Sequence, residues 1–207
     1  MAKERNIIRE EINLYLDTPE EYIYDEFQSL QYPNHPMGYN ILGSEESLSK
    51  IDVDLLNQFY YSHYTPKNMV LSIVSNLPFN QALKKCKFLD KLSGGDLPVK
   101  SEVGIETAKA FSLKTAKDFN LAYACLGADA YSHGNDKRYD LMLLNNILGG
   151  PGMNSRLNMS IREKYGLTYQ IDSSFVSYDN TGLFYINFAT EVNQLERTLS
   201  LIKKELK

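Results

Sequence analysis

No segment of this 207-residue chain approaches the ~18 consecutive apolar residues a membrane-spanning helix needs, so no membrane partner is expected. A basic footprint is missing too. The 22 Lys and Arg residues are outnumbered by 26 Asp and Glu, giving a net charge of -4, and they are scattered among the acids, which argues against nucleic acid as a partner. Cysteine is scarce, with Cys86 and Cys125 in apolar surroundings and no C-x-x-C spacing, so both are expected to be buried free thiols. Histidine is scarce too, with three residues. His35, His63 and His133 form no H-x-x-E-H and no i, i+3 or i, i+4 pair, so the chain by itself displays no complete metal site.

What is present is ordinary globular material, 43% hydrophobic and 23% charged, in a chain long enough to bury roughly 70% of its unfolded surface. The N-terminus lacks the apolar core of a signal peptide and opens on an amphipathic pattern; the compartment stays open, with the cytoplasm favoured and any N-terminal signal expected outside this chain.

Apolar residues at Ile7, Ile8, Ile12, Tyr15 and Leu16 predict a first helix, and Thr18, Pro19 and Glu21 read as a capping box opening a second, with Ile23, Phe27 and Leu30 inward. Asp52 caps a further helix with Leu55, Leu56, Phe59 and Tyr60 inward. The run MVLSIVSN, residues 69–76, predicts a mostly buried strand, followed by a helix near Phe79 to Leu89. Ser93 to Gly104 is the best linker candidate. Beyond it the pattern predicts strands near Ala110 to Thr115 and Phe119 to Leu126, a helix from Lys137 to Leu148, and a short helix after Ser155. Strands carrying Tyr169, Ile171, Ser173 and Phe175, then Leu183, Tyr185 and Asn187, precede a terminal helix with Leu195, Leu199 and Ile202 inward. Hairpin-joined strands with helices gathered between them indicate an α+β fold, a mainly antiparallel or mixed sheet with helices packed on one face.

Four residues stand out as chemistry. Glu4 and Glu11 share a face of the first helix but lie about 10 Å apart along its axis, so one can ligate a metal while the other orients a neighbouring ligand. As surface acids near a helix N-terminus they would serve the macrodipole instead. Arg162 and Tyr169 are separated by a helix end, Gly166 and a strand start, so their side chains can converge. A guanidinium binds a peptide carbonyl, and a phenol donates to a developing oxyanion. The alternative is a solvated arginine beside a half-buried strand tyrosine. Gly149, Gly150 and Gly152 read as residues adopting positive φ at a helix terminus, not as a phosphate loop, since G-x-x-x-x-G-K-[ST] is absent.

Read in order, ERNIIREEINLYLDTPEEY, HPMGYNILGSEESLSKI, YTPKNMVLSIVSN and LGGPGMNSRLNMSIREKYGLTY resemble the pitrilysin and insulinase family of zinc metallopeptidases, in the style of its processing-protease members. The resemblance runs from Glu4 to the last helix. It implies α+β rolls, and a zinc held by the two histidines of an H-x-x-E-H motif whose glutamate activates water. Glu11 matches the family's third zinc ligand, Glu4 its supporting acid, and Arg162 with Tyr169 the pair that holds substrate and stabilises the tetrahedral intermediate.

H-x-x-E-H itself is absent, so the chain is expected to be an internal piece of a longer protease. On this reading residues 1–97 are the C-terminal half of a zinc-binding domain, and 98–207 are the beginning and main part of a second, substrate-binding domain. The parent is expected to be a zinc-dependent metalloendopeptidase acting on peptides or unfolded segments. It would work as a homodimer or with a related subunit, while this piece alone binds no zinc and is inactive. A non-catalytic subunit of the same family is the alternative. A small-ligand binding module, suggested only by the glycine loop and the abundant tyrosine, is a third.

Overall fold

The computed structural model describes residues 1–92, 104–106 and 109–207, and these fall into two compact units. Met1–Arg9 with Ser44–Val103 form one, and Glu10–Gly43 with Gly104–Lys207 the other; the division falls inside helix α1, Ala2–Leu16. The boundary at 97/98 and nearly all of the candidate linker, residues 93–103, lie outside the described residues.

In the first unit, α1 leads on to the short helices α3, Glu45–Lys50, α4, Val53–His63, and α5, Phe79–Lys85. The sequence pattern did not suggest α3, which opens on a reciprocal Ser44–Ser47 capping box. Asp52 caps α4 as expected, accepting from the Leu55 amide at 2.8 Å. The first turns of α1 are tied down by Arg5, which donates to the Ile51 carbonyl, and by the Arg9 guanidinium, 2.7 Å from Glu45. An exposed pair of that kind adds at most about 1 kcal/mol.

Two expectations fail here. Leu55, Leu56, Phe59 and Tyr60 are about half exposed rather than inward, and residues 69–76 form no strand, with Val70 and Val74 wholly exposed. The physical reason is shared. A strand needs a neighbouring backbone to complete its hydrogen bonds, an apolar helix face needs something apolar to lie against, and the described residues supply neither. Leu48 is the one buried hydrophobic residue of this unit among those described.

The second unit has a core. Three antiparallel strands, β1, Ala122–Ala130, β2, Thr168–Ser177, and β3, Gly182–Thr190, assemble in the order β1-β3-β2. Ile186 and Ile171 on one face pack against α6, Lys137–Gly149, the π-helix Asn158–Lys164 and α7, Leu195–Glu205, burying Leu148, Leu157, Ile161 and Ile202. Each fully buried aliphatic side chain contributes roughly 1.5–3 kcal/mol of transfer free energy.

To these helices the structure adds α2, Pro19–Gln31, on the opposite face, where Phe27 and Tyr24 meet Leu183, Cys125 and Tyr185. Gly127 makes that approach possible. A Cβ there would lie 2.8 Å from the Phe27 ring and 2.2 Å from the Phe184 carbonyl oxygen.

The antiparallel α+β class matches the sequence reading, but helices cover both faces of the sheet rather than one, because α2 brings Phe27 and Tyr24 onto the second face, and there are local differences. Residues 110–115 form no strand, and β1 begins at Ala122. Thr18 makes no capping bond to α2; its hydroxyl turns back and donates to the Leu14 carbonyl at 3.1 Å, satisfying the end of α1 instead. Gly149, Gly150 and Gly152 do not take positive φ. Gly149 is required by close packing, since a Cβ would sit 2.7 Å from the Ser173 amide nitrogen. Both cysteines are free and only partly buried.

Candidate functional site

Arg162 lies in the π-helix, a geometry that recurs at functional sites because it re-aims a side chain within an otherwise regular turn. The helix closes on the Arg162 carbonyl, which accepts the Gly166 amide at 2.9 Å, and Gly166 takes φ +60 to turn the chain into β2. Leu167 then donates to the Ile161 carbonyl at 3.1 Å. The turn is pinned at both ends.

Tyr169 follows within a bulge of β2, where the register against β3 shifts between Thr168 and Ile171. The Thr168 hydroxyl lies 2.6 Å from the Ala189 carbonyl and 2.7 Å from that of Gln170, holding the irregularity in place. Bulges commonly redirect a side chain beside a site. Here the result is a phenol 87% exposed at the strand entrance, while Ile171, two residues on, is buried.

The structure brings this pair together. The Arg162 guanidinium carbon stands 5.5 Å from the Tyr169 ring centroid, within cation–π range, and its Nε lies 3.7 Å from the Glu163 carboxylate. A partly buried cation and an outward phenol thus share one surface. Together they offer N–H and O–H donors to a carbonyl or an oxyanion.

Glu4 and Glu11 are both exposed on α1 and have no hydrogen-bond or ion partner among the described residues. No group of three His, Cys, Asp or Glu side chains capable of holding a metal is assembled among those residues. A three-ligand zinc site therefore does not fit the residues described here, and Glu11 supplies one carboxylate at most.

A second cluster escaped the sequence reading. Cys125, Asn187 and Asp172 occupy one rung across the sheet, on the face that α2 covers. Asp172 borders a cavity of about 170 Å³ also lined by Glu20, Tyr123, Gln170 and Asn187. Burial raises its carboxyl above the ordinary aspartate value, and burial plus the neighbouring Asp172 pushes the Cys125 thiol up to about 12. The one available signal was an acid at position 172 between Ile171 and Ser173, in a strand that is covered on both faces.

An antiparallel sheet packed against helices on both faces, with an arginine–tyrosine pair presented through a bulge, defines an α+β domain that offers polar donors at its surface. The chain belongs to the peptidase M16 family: residues 50–207 match the domain described as the peptidase M16 inactive domain. That span includes Arg162 and Tyr169 and leaves out Glu4 and Glu11. The resemblance to pitrilysin- and insulinase-type zinc peptidases is thereby borne out. Among its relatives, an uncharacterized zinc protease of Bacillus subtilis, YmxG, is 34% identical over all of this chain and 50% of its own length. A Rickettsia felis zinc protease, also described as uncharacterized, is 33% identical over all of this chain and 49% of its own. The chain spans about half the length of the curated relatives it matches.

Solved structures agree on the fold. A peptidase M16 inactive domain from Pseudomonas fluorescens superposes with a TM-score of 0.82 at 25% identity, over 99% of this chain and 50% of the other. A protease from Helicobacter pylori gives 0.79 at 20%, over 98% and 52%. No helix among the described residues is long and apolar enough to cross a membrane.

Proposed function

We propose that this chain is part of a zinc-dependent metalloendopeptidase and that Arg162 and Tyr169 are its contribution to substrate binding. The observation that carries the reading is their pairing at 5.5 Å with the phenol outward, in a family whose relatives are described as zinc proteases. The guanidinium would hold a backbone carbonyl of an extended peptide. The phenol would donate to the oxygen that gains charge during hydrolysis.

In this reading residues 1–97 complete a zinc-binding domain and 98–207 build the substrate-binding one. Glu11 is the third zinc ligand, Glu4 orients a neighbouring histidine, and the remaining ligands come from outside this chain. Zinc would supply an activated water. The active assembly is a homodimer or a pair of related subunits.

The test uses the full-length protein with a fluorogenic peptide. Tyr169→Phe should lower kcat by about 100-fold or more, as loss of an oxyanion donor does, with zinc content unchanged. Glu11→Gln should reduce bound zinc. Unaltered kinetics in the first variant and unaltered zinc content in the second would overturn the assignments.

The description of the matched domain as inactive favours a second reading, a non-catalytic subunit that lends its Arg–Tyr pair to a partner. Full-length protein that binds no zinc, yet restores hydrolysis by a zinc-bearing partner, would select it.

A further inference from the structure

The first turn of α7 carries a charge of the wrong sign. Arg197 lies near the start of that helix, where the aligned peptide dipoles leave a partial positive charge, so a cation there is held against the helix field. No acid lies three or four residues from it in either direction, and among the described residues it makes no hydrogen bond and no ion pair. Its guanidinium carbon stands instead 5.8 Å from the ring centroid of Tyr165.

Lys164 reaches the same ring, with its Nζ 5.3 Å from the centroid. Each cation is drawn to the ring and repelled by the other, and the acids around them are engaged elsewhere. The Ser160 hydroxyl and the Arg156 guanidinium, 2.9 Å away, hold the Glu205 carboxyl below its usual value, with Lys164 adding to that field. Glu163 faces Arg162 at 3.7 Å, and Glu196 lines a separate groove with Ser200 and Lys203. In a chain of net charge -4 this is a local excess of the opposite sign.

The excess adjoins the arginine–tyrosine pair. The amides of Tyr165 and Gly166 both donate to the Arg162 carbonyl, so the ring that gathers the two cations sits on the turn that carries Arg162, which in turn stands against Tyr169. A peptide extended at ~3.3 Å per residue and held by that pair passes this turn within a few residues of the held carbonyl. We propose that Arg197 and Lys164, gathered by the Tyr165 ring, form a subsite that selects an acidic side chain, Asp or Glu, in the peptide held by Arg162 and Tyr169. A carboxylate placed between the two cations relieves their repulsion and accepts charge-assisted hydrogen bonds from both. A lysine or arginine at the same place adds a third positive charge, so the subsite rejects basic side chains as well as favouring acidic ones.

The inference rests on the proposed peptidase role of Arg162 and Tyr169, and its test separates the two. Fluorogenic peptides of one sequence, carrying Asp, Asn or Lys in turn at each position flanking the cleaved bond, are offered to the full-length protein. At low salt kcat/KM for the Asp peptide should exceed that for the Asn peptide by about tenfold or more at one position at least, with Lys the poorest of the three. Raising KCl to about 0.5 M should erase most of that preference, since screening then shortens the reach of these charges to roughly 4 Å. Arg197→Ala combined with Lys164→Ala should bring the Asp-to-Asn ratio close to one, and Arg197→Glu should turn the preference toward Lys. Tyr169→Phe should slow every peptide alike and keep the ratio. A wild-type ratio near one at every position, or a ratio that survives the double substitution, overturns the inference and leaves the peptidase reading standing. If no peptide is cleaved, fluorescence anisotropy of the same labelled peptides decides. Tighter binding of the Asp peptide that depends on Arg197 upholds the acidic preference and overturns the peptidase reading, whereas equal binding of all three overturns both.

Discussion

The guanidinium carbon of Arg162 stands 5.5 Å from the ring centroid of Tyr169, seven residues further on, because a π-helix, a left-handed glycine and a strand bulge bend the chain back on itself. That contact depends on a flat, delocalised cation. Arg162→Lys should therefore not rescue function: a point charge on a flexible stem loses both the stacking and the forked donors. In the full-length protein kcat/KM should fall for the lysine variant nearly as far as for Arg162→Ala, with circular dichroism unchanged. Recovery to within about threefold of wild type would show that charge alone suffices.

The rung of Cys125, Asn187 and Asp172 makes stability depend on pH. Burial raises the Asp172 carboxyl, so the folded state holds its proton to higher pH than the unfolded chain does. The unfolded form ionises first, near 3.8, and stability falls as pH rises through that value toward the raised folded one. Above both, a desolvation penalty remains. Asp172→Asn should therefore stabilise the protein at pH 7 more than at pH 3.5 in urea titrations. A variant less stable than wild type at pH 7 would mean that the carboxylate has a favourable partner.

The same burial separates the two thiols. Cys125, held up to about 12 and covered by α2, stays protonated at pH 8, where thiolate is the reacting species. Iodoacetamide should modify Cys86 first in the folded protein, with Cys125 reacting only as the chain unfolds. Peptide mapping after timed quenching checks the order.

The unequal distribution of core predicts an unequal response to truncation. Ile186, fully buried in the second unit, should cost about 2–5 kcal/mol on replacement by Ala. Val70→Ala in the 207-residue chain should change stability by no more than about 0.5 kcal/mol, because the side chain is already in water. Urea midpoints of the two variants measure the contrast.

Much of the second unit was readable because its elements follow their own periodicity. The helix over Lys137 to Leu148, the hairpin of Tyr169 and Leu183, and the terminal helix with Ile202 all appear where the pattern puts them. The strand reading at 69–76 was no weaker as a pattern. It failed in this chain because a strand is a relation between two backbones, and periodicity describes only one of them. Thr18 shows the same limit on a smaller scale: its hydroxyl had two helix ends within reach, and only the folded geometry selected the Leu14 carbonyl.

The sequence by itself determined the family and the α+β class, since each is carried by residue type, order and spacing along the chain. Tertiary structure decided the rest. It set α2 against the second face of the sheet, drove Asp172 and Cys125 into a desolvated rung, and turned Tyr169 outward through a bulge while Ile171 went into the core. Those outcomes depend on which surfaces meet across long sequence separations, and burial and dielectric exist only once they have met.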